Sequence, residues 1–293
     1  MKGSDRPLAR KLVRLWFQAR GSQQAHRQDI WPGLAIDRQS GRVRWRGRDL
    51  LTLVSAQQMI PQGAAQLTIV GSGPSLRDQR IEAITPRTAI LCNGAATLAS
   101  RVSPLAVAVE DERFVFRHHA MLAALPHDLP LLLSPAALRA WAERGAPPLQ
   151  NRAVALIDNV EKPVGLARRR LSDPALRGIV IRSQNGAMSI KPDAGVVITG
   201  TVAFTALQFA LAANPRSILL AGIDLTNDNQ PRFYEQGDRA PSGLSDGLQR
   251  ILAGFAIAKA QAEKRDVTLG CASPVSALLQ LGYVFDSKLA QRD

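Results

Sequence analysis

The chain has 293 residues, of which 46% are hydrophobic and only 5% aromatic, so aliphatic side chains must form one large core or two modest ones. No apolar run approaches the roughly 18 residues that a membrane-spanning helix needs, and we expect no secretory signal, because the first residues contain no hydrophobic stretch. The two cysteines, Cys92 and Cys271, are too few for a disulfide-stapled fold and favour a reducing cytoplasm.

The net charge of +13 is concentrated in the first part of the chain. Residues 1–48 contain twelve lysines and arginines against three aspartates, whereas the rest of the chain is nearly balanced. Such a basic segment predicts a polyanionic partner, which can be a nucleic acid, an anionic membrane or a phosphorylated glycolipid. We interpret residues 1–62 as a basic N-terminal arm and residues 63–293 as the main domain.

The beginning of the arm has the pattern of an amphipathic helix. Apolar residues form one stripe and basic residues the other side: Leu8, Leu12, Leu15 and Trp16 against Arg6, Arg10, Lys11 and Arg14. A basic helix with a tryptophan on its apolar edge suits a lipid headgroup layer, so we expect residues 1–20 to bind an anionic membrane surface. The alternative is a helix packed on its own domain with a solvated basic face. We expect no nucleic-acid partner, because no aromatic-rich strand pair accompanies the basic residues.

From residue 67 onward, short aliphatic strands alternate with helical segments. The predicted strands are residues 67–70, 88–92, 105–109, 129–133, 153–157, 178–181, 217–221 and 267–269. The predicted helices are residues 74–83, 113–124, 136–144, 201–213 and 244–263. This alternation predicts a Rossmann-like α/β fold with a mostly parallel, doubly wound sheet. Ligands of such sheets bind at the carboxyl ends of the strands, so the loops leaving those ends form the candidate site.

The first predicted strand ends in a glycine-rich loop, where we select Gly71, Ser72, Gly73 and Ser75 as nucleotide-binding residues. Glycines let the backbone approach an anion, and Pro74 suits the first turn of a helix whose N–H groups and dipole favour a phosphate. The alternative is a tight turn without a ligand. The loop is neither a dinucleotide fingerprint nor a P-loop, because it lacks the third glycine and the lysine.

Polar residues also follow the next two predicted strands. Asn93 can hydrogen-bond a ribose or a base, or can belong to an ordinary Asn-Gly turn. Glu110, Asp111 and Glu112 follow the third strand, where carboxylates are costly unless they are paired, bound to a metal or used in catalysis. We favour a functional role, although Arg113 can neutralise one of the three.

The region before the apolar helix contains two further features. Residues 140–195 are irregular, and we predict that they form an insertion or lid; their three consecutive arginines, residues 168–170, can meet acceptor phosphates or form a solvated face. Thr199, Gly200 and Thr201 then precede the helix and predict a second phosphate-binding turn, although a plain N-cap has the same sequence.

The last candidate residues follow the strand 217–221. Asp224 projects from its carboxyl end and joins the predicted nucleotide-binding set. The polar loop 227–242 comes next and contains Arg232 and Tyr234. A loop of this length in a compact domain is usually functional or disordered.

These segments, in this order, resemble a known group of enzymes. GSGPSL, a strand ending in CNG, then TGTVAF and LLAGIDLT are similar to the bacterial sialyltransferases that use CMP-sialic acid and to a related pterin-diphosphokinase-like group. VEDERF, RFY and the following PSGLS resemble the lipopolysaccharide-core Kdo transferases of the WaaZ type, which add a further Kdo to the inner core. The resemblance covers residues 67–285 and does not include the basic arm.

The resemblance implies an inverting glycosyltransferase that moves Kdo from CMP-Kdo to a lipopolysaccharide inner-core acceptor, at the cytoplasmic face of the bacterial inner membrane. Residues 71–75 and Asn93 would hold the nucleotide, and residues 199–201 the phosphate or cytidine. Tyr234 would lie near the leaving phosphate. The resemblance therefore implies that the main domain is a single nucleotide-sugar-binding catalytic domain.

The sequence departs from the sialyltransferases at the general base. Those enzymes use a histidine late in the chain, but all four histidines here precede residue 128. We therefore choose Asp111 as the base with Glu110 second, and Arg113 and Arg232 as acceptor-binding residues. We expect no metal site and no cofactor besides the donor, because CMP carries a single phosphate; Mg²⁺ is possible but not required.

Three other functions remain open. A diphosphokinase of the same fold would need Mg²⁺ and a cluster of basic residues beside the loop at Gly71. A nicotinamide oxidoreductase would need a third glycine and an acidic residue in place of Asn93. A non-catalytic membrane or nucleic-acid binding protein would explain the arm but would leave the polar residues at the strand ends without a role.

Overall fold

The structure is a computed structural model that describes residues 6–21, 23–145, 149, 151–225, 232–234 and 244–291. Its strands are β1 (Leu34–Ile36), β2 (Arg42–Trp45), β3 (Arg48–Thr52), β4 (Leu67–Val70), β5 (Ala89–Cys92), β6 (Ala106–Val109), β7 (Leu131–Leu133), β8 (Val154–Leu156), β9 (Val180–Arg182), β10 (Ala187–Ser189), β11 (Ser217–Ala221), β12 (Thr268–Cys271) and β13 (Val284–Phe285). Its α-helices are α1 (Leu8–Ala19), α2 (Ala56–Met59), α3 (Ala99–Val102), α4 (Glu112–Arg117), α5 (His119–Ala123), α6 (Pro135–Arg144), α7 (Val202–Ala212) and α8 (Leu244–Glu263).

Eight parallel strands form the central sheet, in the order β13-β12-β11-β4-β5-β6-β7-β8. The chain enters at β4 in the middle, winds outward to β8, and then crosses to β11 on the other side of β4. The predicted Rossmann-like, doubly wound α/β fold is therefore confirmed, and the strand order reverses between β4 and β11.

Helices cover both faces of the sheet and bury a separate core on each. The core on one face contains α7 and α8, with Phe204 and Phe255 in edge-to-face contact at 5.5 Å between ring centroids. The core on the other face contains α4 and α6, with Trp141 fully buried. Because β4 to β7 are buried on both faces, their sequences are apolar apart from Thr68 in β4 and lack the alternation of a half-buried strand.

The basic arm contains more structure than its amphipathic helix. Strands β1 to β3 form a small antiparallel sheet that the sequence analysis missed. In β2 the arginines point outward, while Val43 between them is fully buried in the core of the main domain. The alternating arginines of residues 42–45 therefore indicate a half-buried strand in addition to a charged segment.

Two predicted helices differ in the structure. Residues 74–83 form two short 3₁₀ turns, Pro74–Asp78 and Ile81–Ala83, so the predicted α-helix is wrong there. Tertiary hydrogen bonds break the segment: the Gln79 side chain donates to the carbonyl of Ala272, and the Arg80 N–H donates to the carbonyl of Leu289. The predicted helix over residues 113–124 is divided at His118 into α4 and α5.

The region predicted as an insertion is only partly outside the sheet. Strand β8 lies within residues 140–195 but pairs with β7 as an edge strand of the central sheet, so that part of the prediction is wrong. The predicted strand over residues 178–181 corresponds to β9, which pairs with β10 in a separate antiparallel hairpin. None of the helices among the described residues combines the length and apolarity needed to cross a bilayer.

Candidate active site

Most of the predicted site residues follow four neighbouring strands at one edge of the sheet. Strands β11, β4, β5 and β6 lie side by side and run in parallel. Their carboxyl ends therefore bring four loops to the same edge, which begin at Gly222, Gly71, Asn93 and Glu110. The structure thus places the predicted loops together, as parallel strand topology requires.

The glycine-rich loop packs closely on the loop that follows β11. The Gly73 N–H donates to the carbonyl of Gly222 at 2.7 Å, and a Cβ on Gly73 would lie 2.6 Å from Asp224 Oδ2. A Cβ on Gly71 would overlap the Gly222 carbonyl in the same way. The close contact between the two loops is therefore sufficient to explain both glycines without a ligand.

Asp224 holds the turn that begins this loop. Its carboxylate accepts hydrogen bonds from the Ser75 N–H, at 3.0 Å, and from the Ser75 hydroxyl. It therefore acts as a long-range cap for the 3₁₀ turn at Pro74–Asp78, with its own backbone carbonyl bound to the Ala277 N–H. This turn is not the α-helix on which the predicted phosphate contact depended.

Asn93 and Tyr234 meet at the end of β5. Asn93 has a left-handed backbone, with φ of 48°, and its buried side-chain oxygen has no hydrogen-bond partner among the described residues. The ring of Tyr234 lies directly on Gly94, where any Cβ would overlap it. The segment 232–234 thus covers the Asn93 loop, while the rest of the predicted loop 227–242 lies outside the described residues.

Hydrogen bonds and ring contacts fix the position of Tyr234. Arg232 Nη1 donates to the Tyr234 hydroxyl at 3.0 Å, and Arg77 Nη2 donates to the Arg232 carbonyl at the same distance. The His118 ring meets the tyrosine edge-on, with 5.7 Å between centroids. Arg232, predicted as an acceptor-binding residue, is therefore placed beside the tyrosine hydroxyl.

Glu110 combines burial with contact to a second element of the site. The Thr205 hydroxyl, one turn inside α7, donates to Glu110 Oε1, and the Ser134 hydroxyl donates to the Glu110 backbone carbonyl. Burial raises the pKa of Glu110 to about 7, although the bond from Thr205 acts in the opposite direction. The residue as a whole is half-buried, and the pKa of its carboxyl group lies near neutrality, in the range that suits a general acid or base.

Asp111 and Arg113 are engaged with each other. The Asp111 carboxylate caps α4 by accepting from the Arg113 N–H at 2.9 Å, and it binds the Arg113 guanidinium through Nε at 2.7 Å and Nη2 at 2.6 Å. Both side chains retain partial exposure. The pair is therefore a local helix cap, and a substrate would have to compete for either side chain.

Glu112 binds three arginines from two distant parts of the chain. Arg6 and Arg10 reach it from the arm, and Arg139 reaches it from α6. Burial acts to raise the pKa of Glu112, but the guanidinium groups outweigh it and lower that pKa. We call this glutamate, together with Arg6, Arg10 and Arg139, the Glu112 clamp. It fastens the arm to the main domain.

The turn before α7 contains polar groups that have no hydrogen-bond partner among the described residues. The Thr199 hydroxyl is buried without a hydrogen bond among the described residues, and Gly200 has a φ of 108°. The N-cap residue Thr201 makes no side-chain capping bond to the helix. The N–H groups at an uncapped helix N-terminus can bind an anion. Because α7 spans 11 residues, its N-terminus is a candidate position for such an anion.

Arg250 on α8 completes this turn and was missed by the sequence analysis. Its Nε donates to the Thr199 carbonyl at 2.8 Å, and its Nη2 would lie 3.2 Å from a Cβ on Gly200. Gly247 and Gly254 make the close approach possible, because a Cβ on them would meet Arg250 at 3.3 Å and Thr199 at 3.0 Å respectively. Two glycines seven residues apart in a predicted helix were the available signal, since interior helix glycines cost about 1 kcal/mol each.

Within the described part of the chain, no group of three or more His, Cys, Asp or Glu side chains is arranged to hold a metal ion. Cys92 and Cys271 are both free and buried at the ends of β5 and β12.

No family model and no curated relative matches this chain. Among solved structures, the sialyltransferase CstII from Campylobacter jejuni, in complex with the substrate analogue CMP-3FNeuAc, is similar over 78% of this chain and 89% of that chain. The two sequences are 11% identical, and the TM-score is 0.38.

Proposed function

We propose that this protein is a glycosyltransferase that uses a CMP-activated sugar. The observation that carries the proposal is the pairing of Glu110, whose pKa is about 7, with Thr205 on α7, the helix whose uncapped N-terminus lies beside Arg250. A carboxyl group suited to proton transfer and a position suited to an anion thus both adjoin one helix, α7. The resemblance of the sequence motifs to CMP-sugar transferases supports the same assignment.

In the proposed reaction, an acceptor hydroxyl attacks the anomeric carbon of the donor. Glu110 accepts the proton of that hydroxyl while the new glycosidic bond forms, and the bond between the anomeric carbon and the CMP phosphate breaks. The phosphate leaves with the bonding electrons, and its growing negative charge would be stabilised by the N-terminus of α7, by Arg250 and by the Tyr234 hydroxyl. Attack from the face opposite the phosphate would invert the anomeric configuration.

The geometry leads us to exchange the order of the two candidate bases. Asp111 already accepts two hydrogen bonds and an ion-pair contact from Arg113, which hold it as a helix cap, whereas Thr205 is the one donor to the Glu110 carboxyl group among the described residues. A base must present an oxygen to the acceptor hydroxyl, and both carboxylate oxygens of Asp111 are already engaged by Arg113. We therefore propose Glu110 as the base and Asp111 as a positioning residue for α4.

Ligand-dependent thermal stability tests the nucleotide class. CMP should raise the melting temperature of the full chain, whereas ATP, NAD and a short RNA at the same concentration should not, because only a native-state ligand stabilises the fold. Arg250→Ala should lose most of the CMP shift, since a charged hydrogen bond contributes about 1.5–3 kcal/mol, or roughly tenfold or more in affinity. Selectivity for ATP or NAD would replace the proposed function with a diphosphokinase or an oxidoreductase.

We further propose Kdo as the sugar and the lipopolysaccharide inner core as the acceptor, on the strength of the sequence resemblance. The enzyme would meet this lipid-linked, anionic acceptor at the inner face of the bacterial inner membrane, with residues 1–20 against the lipid. Incubation with CMP-Kdo and truncated lipopolysaccharide should add one Kdo mass to the acceptor. We expect the same product in EDTA, because a single donor phosphate needs no bridging metal. Loss of product in EDTA, restored by Mg²⁺, would contradict the metal-independent mechanism.

A further inference from the structure

The apolar stripe of α1 faces away from the protein. Leu8, Leu12 and Leu15 are 77%, 68% and 61% exposed, and Trp16 is 48% exposed, whereas Arg10 and Phe17 are the buried residues of the helix. The side of the helix that carries Arg10 therefore packs on the domain. Three leucines on successive turns would ordinarily be covered, since each exposes an apolar side chain to water.

A second element extends this stripe. Trp31, from the loop before β1, is 44% exposed, and its ring centroid lies 6.0 Å from that of Trp16 and 6.1 Å from that of the buried Phe17. Arg10 ties the two elements together, because its guanidinium donates to the Trp31 carbonyl at 2.6 Å. The exposed apolar surface, which we call the lipid-facing stripe, consists of Leu8, Leu12, Leu15, Trp16 and Trp31.

Positive charge borders the lipid-facing stripe. The Arg20 guanidinium lies 4.5 Å over the Trp16 ring, and α1 contains no acidic residue between its ends. Lys11 and Arg14 lie on the same helix. Near Trp31, the side chain of Arg46 approaches Gly33, and its guanidinium stacks on Trp45 at 5.2 Å. Apolar side chains surrounded by basic ones, with tryptophan at the boundary, match the headgroup layer of an anionic bilayer.

The Glu112 clamp fixes the stripe relative to the candidate site. Arg10, on the inward side of α1, and Arg6, just before the helix, extend to Glu112, which lies two residues after Glu110. Arg10 and Glu112 are 2% and 3% exposed, so the ion pairs are shielded from solvent and salt. The helix is thus held on the main domain with its leucines outward, rather than hanging from it as an independent anchor.

We infer that α1 and the Trp31 loop form one membrane-docking surface that places the lipid-facing stripe in the headgroup layer of an anionic membrane. This deepens the membrane part of the proposed function by adding Trp31 and the orientation of the helix. Its readout is lipid binding rather than transfer, so the inference and the proposed reaction can fail independently. A second copy of this chain is the competing occupant, and the test distinguishes it.

The test is co-sedimentation of the full chain with vesicles of phosphatidylcholine alone and of phosphatidylcholine mixed with phosphatidylglycerol. The wild-type protein should bind the mixed vesicles and bind phosphatidylcholine more weakly. Replacing Leu8, Leu12 and Leu15 together by serine should lower the vesicle partition coefficient on the order of 30-fold or more. Trp31→Ala should lower it by a smaller factor.

A matched control removes equally exposed apolar side chains elsewhere. Val284 and Phe285 on edge strand β13 are 60% and 47% exposed, and serine at both positions should leave vesicle binding unchanged. Equal binding by the triple leucine variant and the wild type would overturn the inference. So would a wild-type protein that ignores the vesicles and forms a dimer that the leucine substitutions dissociate in light scattering.

Discussion

Replacing Glu112 by alanine should destabilise the fold by about 3–5 kcal/mol, because it removes the carboxylate that buried Arg10 and Arg139 share and leaves Arg139 with Glu143. In a chain of this size, such a loss lowers the melting temperature by on the order of 10 °C. Urea denaturation followed by far-ultraviolet circular dichroism measures the free energy of unfolding directly. The effect is large because removing one partner of a buried pair costs far more than the pair itself contributes.

The matched control is an exposed ion pair of the same chemistry. Arg101 and Glu82 are 54% and 56% exposed, and Glu82→Ala should change the free energy of unfolding by no more than about 1 kcal/mol.

The Glu112 clamp also predicts a pH dependence of stability. Since the pKa of Glu112 is lowered in the folded state, its stabilising contribution is complete above the unfolded glutamate pKa of about 4.3 and is lost as the pH falls below it. If Glu112→Ala and Glu82→Ala lowered the free energy of unfolding equally, the clamp would not stabilise the fold.

Glu110→Gln should reduce the transfer rate by roughly 10²–10⁴-fold while leaving CMP affinity within about twofold of the wild type. Glutamine keeps the size of the side chain and can still accept the hydrogen bond from Thr205, but it cannot take up the acceptor proton. Because burial raises the pKa of Glu110 to about 7, the wild-type kcat/KM should rise with pH up to that value and then level off. The residual activity of the variant should lack this dependence.

Two controls accompany the Glu110→Gln variant: its own folding stability and the transfer activity of Asp111→Asn. The raised pKa means that ionised Glu110 destabilises the folded state as the pH rises through about 7, so Glu110→Gln should be at least as stable as the wild type at pH 8. Asp111→Asn should keep the cap, because its amide oxygen can accept from the Arg113 N–H, should lose its ion pair with Arg113, and should retain transfer within about tenfold. The reverse result, with transfer abolished by Asp111→Asn and retained by Glu110→Gln, would restore Asp111 as the base.

The central sheet could be predicted because its strands carry their own signal. Strands buried on both faces must be mostly aliphatic, and β4 and β11 have the predicted bounds for that reason, although they contain Thr68 and Ser217 respectively. Helix α8 likewise spans the predicted residues, because an apolar face and good helix formers extend along it. The parallel order then brings Asn93, Glu110 and Asp224 to one edge without any knowledge of side-chain contacts.

What escaped prediction depends on contacts between distant residues. Glu112 and Arg10 are 102 positions apart, and nothing near either residue indicates the pair. The turn at Pro74–Asp78 is capped by Asp224, 149 positions away from Ser75, so its local helix signal was misleading. Local patterns express what a segment prefers alone, whereas these elements are set by the partners that the fold supplies.

The bonds of Arg10 have a practical consequence for any truncation of the arm. Its guanidinium binds Glu112, the Trp31 carbonyl and the Gln28 carbonyl at once. Deleting residues 1–20 would therefore break three contacts with the rest of the chain. Of the three arginines in the Glu112 clamp, Arg139 alone would remain. A shortened protein would therefore lose lipid binding or turnover through unfolding as well as through loss of the membrane-docking surface. Neither measurement alone would distinguish the two causes. Serine substitutions on the outward leucines, which touch none of these bonds, separate the two effects.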